Sequence, residues 1–73
     1  MVEVFKTNVR TKKVSRKILT AVHENFPFYI CNFDLEDCDK ILRVQSLNGS
    51  VKPDNIIDLV RQSGYSAEVL PEE

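Results

Sequence analysis

The side chains able to do chemistry are few and unevenly placed. Two cysteines, Cys31 and Cys38, and one histidine, His23, are the soft or nucleophilic groups. Asp34, Glu36, Asp37 and Asp39 crowd around Cys38, a donor set that suits weak binding of a hard cation or, equally, a solvated acidic turn. Joining the two cysteines is not expected: on an extended segment they stand seven steps of about 3.3 Å apart, beyond disulfide reach. Cys31 alternates inward and is expected to be a small core residue, whereas Cys38 is exposed. His23 falls near the far end of a helix, away from both cysteines, as a surface residue. With one His, no Ser-His-Asp pattern and little volume for a pocket, no enzymatic activity and no cofactor are expected.

The other chemical feature is charge. Ten basic and eleven acidic residues give a net charge of −1, so the chain as a whole has no general attraction to nucleic acid or to an anionic membrane. Yet five of the ten cations, Arg10, Lys12, Lys13, Arg16 and Lys17, fall within eight positions. They surround the start of a helix, where the dipole is already positive. Either the acidic segment Asp34 to Asp39 offsets them, or an anionic partner does, such as an acidic protein surface or a phosphate on free N–H groups. The plain alternative is a solvated basic face.

The elements that hold these residues can be read from periodicity. Val2 to Val9 reads as a strand, with Phe5, Thr7 and Val9 on one face and Val2 and Val4 on the other. Thr11 is an N-cap candidate, and Val14, Ile18, Leu19, Val22 and Phe26 form the apolar stripe of a helix that Pro27 ends. Phe28 to Leu35 reads as a second strand, with Tyr29, Cys31, Phe33 and Leu35 on one face. Glu36 to Asp39 is its hairpin tip, and Lys40 to Ser46 the third strand, with Leu42 and Val44 inward. After the turn signal Asn48-Gly49-Ser50, Pro53 opens a second helix with Ile56, Leu59 and Val60 buried, and Gly64 closes it. Ser66 to Leu70 is a last short strand before a polar tail.

The order β-α-β-β-α-β predicts one domain over residues 1–73, of α+β class. Its expected form is a ferredoxin-like sandwich: a four-stranded antiparallel sheet with two helices on one face. The opposite face would carry Val4, Ile30, Ile41 and Leu70, an aliphatic surface through which two copies could pair. RNA-recognition domains share this topology but need aromatics on the third strand, and Lys40 to Ser46 has none. No apolar run reaches the roughly 18 residues of a membrane span. The first ten residues lack the features of a signal peptide, so a cytoplasmic protein is expected.

Phe33-Asp34-Leu35-Glu36 at the end of the second strand, Pro53 with Ile56-Ile57, and Gly64-Tyr65 before the last strand together resemble the heavy-metal-associated (HMA) domain family. The resemblance covers nearly the whole chain. It implies a metal-carrying loop, Met-X-Cys-X-X-Cys, at the junction of the first strand and first helix, where two thiolates take a soft ion such as Cu(I) or Zn(II). Aligning Ile18 and Val22 with the family's apolar stripe puts Val9 at the Met and Thr11 and Val14 at the two Cys positions. Neither a hydroxyl nor an isopropyl group replaces a thiolate. The resemblance therefore implies a degenerate member that keeps the fold without the metal ligands. It is expected to serve as a non-catalytic interaction module whose partner surface comprises Arg10, Thr11, Lys12, Lys13 and Tyr65. The alternative is an atypical metal or metal-chaperone domain using Cys38 and nearby carboxylates, or a site shared between two chains.

Overall fold

The computed structural model describes residues 2–70, which form β1 (Val2–Thr7), α1 (Lys12–Asn25), β2 (Tyr29–Asp34), β3 (Ile41–Ser46), α2 (Pro53–Gln62) and β4 (Ala67–Val69). The strands make one antiparallel sheet in the order β2-β3-β1-β4, the ferredoxin-like arrangement. β2 and β4 are therefore its edges. The polar tail expected after Leu70 lies outside the described residues.

Register decides which residues form the core. Phe5 stands opposite Leu42, and Phe33 and Cys31 stand opposite Leu42 and Val44 from the other side. These residues share the helix-facing side, where Phe5, Leu42 and Val44 pack with Val9, Ile18, Val22, Ile56 and Val60, all fully buried. Cys31 and Phe33 are only half-buried. The expected core placement of Cys31 is thus corrected. It packs on the rim of the core, because β2 is an edge strand with no neighbour beyond it.

All four strands are shorter than their sequence pattern, β2 by one residue at each end and β1 and β3 for a visible local reason. β1 stops at Thr7, whose side chain accepts from the Val9 N–H at 3.2 Å, turning the chain while Val9 stays in the core. β3 begins at Ile41 because Lys40 takes a left-handed conformation (φ 49°), leaving its carbonyl to the Thr7 hydroxyl at 2.6 Å. β4 is assigned only to Ala67–Val69, although the Leu70 N–H still reaches the Val4 carbonyl at 2.8 Å.

The helix ends follow their sequence signals. The Thr11 side chain accepts from the Val14 N–H at 3.3 Å and caps α1. Pro53 opens α2, and the N–H of Lys52 before it is taken by the Tyr29 hydroxyl at 3.1 Å, tying α2 to the start of β2. α2 ends in a Schellman motif: Gly64 (φ 90°) donates to Arg61 and Tyr65 donates to Val60, satisfying two carbonyls that the helix leaves free. No helix of the described residues is long and apolar enough to cross a membrane.

The face away from the helices is mixed. Its cross-strand rows, by register, read Ile30–Gln45–Val2, then Asn32–Arg43–Val4, then Asp34–Ile41–Lys6–Glu68. Polar side chains therefore interrupt the expected aliphatic surface, and Ile41 is buried within it. The Lys6 side chain opposite Ile41 is drawn across to Asp39, at 3.8 Å. Exposed apolar bulk gathers instead at one end, in Val2, Phe28, Ile30 and Leu47.

Candidate functional site

Three connections meet at one end of the sheet. The Thr7 N–H and hydroxyl bond the carbonyls of Asp39 and Lys40, which pins the β2–β3 hairpin against the end of β1. The Ser66 N–H donates to Asn8 Oδ1 at 2.8 Å, which brings the α2–β4 turn to the same place. Tyr65 lies in that turn, half-buried and packed on the core. Thr11 caps α1 immediately beyond, so Arg10, Thr11, Lys12, Lys13 and Tyr65 all belong to this end of the fold.

The cations keep their expected exposure. Arg10, Lys12, Lys13, Arg16 and Lys17 are all exposed, and the first turn of α1 contains no acidic residue. Lys12 with Arg16, and Lys13 with Lys17, are like-charged pairs four residues apart, an arrangement that weakens a helix by a few tenths of a kcal/mol per pair. Among the described residues the one ion pair within 4.0 Å joins Lys6 to Asp39. The acidic hairpin thus pairs with a strand residue, not with the helix. Asp34 and Glu36 do share a surface trough with Lys12, Arg16 and Arg43, without direct contact.

At the hairpin tip, donor atoms of Asp37, Cys38 and Asp39 lie within 4.8 Å of one another. Two of the three already have partners. Asp37 Oδ1 accepts from the Asp39 N–H at 2.8 Å, closing the turn locally, and Asp39 faces Lys6. Both cysteines are free thiols, Cys38 exposed and Cys31 half-buried. Burial pushes the Cys31 thiol up from its ordinary pKa. His23 is not remote from Cys31, as its sequence position suggested. The two residues line one open trough, with Leu19, Pro27 and Leu47. The reason is topological: α1 runs back along β2, so its last turn overlies the start of that strand.

The positions aligned with a metal-binding loop carry structural roles. Val9 is fully buried in the core, Thr11 caps α1, and Val14 is half-buried against the core. The chain matches no family model and no curated protein sequence.

Proposed function

We propose that this chain is a non-catalytic, HMA-like interaction module of the cytoplasm that has lost the thiolates of its relatives. In this reading it engages an acidic protein partner through the β1–α1 end, with Arg10, Thr11, Lys12 and Lys13 at the contact and Tyr65 beside them. The observation that carries the reading is the row of exposed cations on the first half of α1, none in an ion pair among the described residues. Helix dipole and like-charge spacing both oppose it, and Asp34 and Glu36 in the neighbouring trough make no ion pair with it. Functional sites are among the places where proteins break such local rules.

Titration with poly-L-glutamate, followed by calorimetry at low and high salt, tests it. Binding that weakens with salt and is lost in Lys12→Glu/Lys13→Glu is expected. Equal binding by parent and variant, or none by either, overturns the assignment.

The clustered donors of Asp37, Cys38 and Asp39 favour one second reading, an atypical metal site at the hairpin. A thiolate-to-metal absorbance on anaerobic titration with Cd(II), absent in Cys38→Ser, would support it over the first. The competing claims of Lys6 and the Asp39 N–H on two of those carboxylates weigh against it.

A further inference from the structure

The two edges of the sheet are unlike. β4 has three residues and offers little to a passing strand. β2 has six, Tyr29–Asp34, with no Lys, Pro or bulge among them, the devices that usually guard an edge. The phase of its ladder follows from the Leu47 N–H bond to the Phe28 carbonyl at 2.9 Å. Bonded pairs recur every second residue, so Ile30 and Asn32 bond toward β3. Cys31 and Phe33 therefore turn their backbone N–H and C=O groups outward. Neither residue's backbone groups have a hydrogen-bond partner off the sheet among the described residues.

Beside this edge runs the cationic half of α1. Lys12, Arg16 and Leu19 from the helix and Asn32, Phe33 and Leu35 from β2 and its turn wall one trough of about 560 Å³. Asp34 and Glu36 also line it, against three cations, Lys12, Arg16 and Arg43, and Lys13 and Lys17 continue the positive ledge along the helix. An unpaired strand edge and an unpaired row of cations thus face the same space. A phosphate or nucleic acid would use the cations and leave the strand edge idle. An apolar strand would use the edge and leave the cations idle. An extended acidic segment uses both.

The geometry points to an acidic partner segment that adds to β2 as an antiparallel strand. Residues opposite Cys31 and Phe33 share their face, so the one opposite Phe33 projects toward Lys12 and Arg16 and the one opposite Cys31 toward Leu19 and His23, and these same residues exchange backbone bonds with the edge. Their neighbours in the segment fall on the open face beside Ile30, which is 51% exposed. An acidic residue thus suits the position opposite Phe33 and an apolar one the position opposite Ile30, so the segment alternates the two, and its acidic residues make the backbone bonds. This inference rests on the acidic-partner reading above and adds to it the mode of binding.

The probe is a synthetic decapeptide alternating Glu and Val, with two analogues, one N-methylated at every Glu and one at every Val. Calorimetry gives affinity, and amide exchange followed by NMR reports Cys31 and Phe33. The expected result is binding that slows exchange at these two amides. Methylation at Glu should cost at least tenfold in affinity and methylation at Val much less. Cys31→Pro, with folding checked by circular dichroism, should lose binding similarly. Should that variant fail to fold, Lys12→Glu/Arg16→Glu provides the comparison with the β2 backbone intact.

Binding with equal tolerance of both methylations and no protection at Cys31 or Phe33 overturns strand addition while leaving the basic-face reading standing. Failure of the decapeptide and of poly-L-glutamate alike overturns both. A dimer by sedimentation, with both amides protected in the free protein, would show that a second copy occupies the edge and would also overturn the proposal.

Discussion

Replacing Thr7 separates the two forces that close the β1–α1 end of the sheet. Its hydroxyl donates to the Lys40 carbonyl at 2.6 Å and accepts from the Val9 N–H at 3.2 Å, and both Thr7 and Val9 are buried. Thr7→Val is nearly isosteric but removes both bonds and strands a buried donor and a carbonyl, at about 1–3 kcal/mol for each orphaned group. The added methyl returns about 0.8 kcal/mol. The net expectation is a loss of roughly 1–5 kcal/mol, centred near 3, a large share of the few kcal/mol that hold a domain this small. Thr7→Ser keeps both bonds and gives up one methyl, about 1 kcal/mol. The order of stability is therefore parent, then Ser, then Val. With a urea slope near 1 kcal/mol per molar, midpoints should fall by about 1 M for Ser and by about 3 M, the centre of its range, for Val. Urea melts of all three proteins, checked for equal slopes, read this order directly. A Val variant at or above the Ser variant would refute the reasoning, because burial rather than the hydroxyl would then hold the hairpin to β1.

Other expectations follow from the same end of the fold. Lys12→Glu/Lys13→Glu puts anions at the start of α1, and melts at low salt should show stability equal to or above the parent by up to about 0.3–1 kcal/mol per site; a drop that vanishes at high salt would mean that the acidic hairpin had been holding these lysines. Iodoacetamide should modify Cys38 faster than Cys31, as peptide mapping would show, because burial disfavours the Cys31 thiolate. Since that folded-state pKa is raised, Cys31 contributes stability fully below the ordinary thiol range and loses it as pH rises through that range; Cys31→Ala should flatten this alkaline decline in urea midpoints, and an unchanged decline would assign it to another group. Thr11→Cys/Val14→Cys should create Cu(I) binding measurable against a chelator, at the expense of roughly 1 kcal/mol from the lost cap; no gain over the parent would show that the two positions do not converge.

How legible each feature was depended on the range of the forces behind it. Thr11, Pro53 and Gly64 act within one helical turn, and all three perform the roles that their positions suggest. The inward set Phe5, Leu42 and Val44 follows from strict alternation and is buried as expected. Cys31 and Phe33 carry the same alternation, yet both are half-buried. Alternation reports a face and not whether another strand lies beyond it. Lys40 is harder still: nothing in its residue type announces a left-handed backbone, and the bond its carbonyl accepts comes from the Thr7 hydroxyl 33 residues away. That His23 and Cys31 line one trough likewise depends on α1 running back over β2, a relation between elements rather than within one.

The same distinction bears on the candidate site. The cluster from Arg10 to Lys17 was visible as composition, but composition could not say whether Asp34 to Asp39 neutralised it. That depended on where the hairpin tip points, and Thr7 fixes the tip by holding the Asp39 and Lys40 carbonyls. Held there, Asp39 faces Lys6 on the strand side, and no hairpin carboxylate comes within 4.0 Å of the helix cations. A direct ion-pair role for the cluster would require the opposite arrangement. Thr7 thus links the two halves of the argument: the hydroxyl that stabilises the end of the sheet also draws the acidic turn toward β1. The basic face of α1 is left open, beside the free edge of β2.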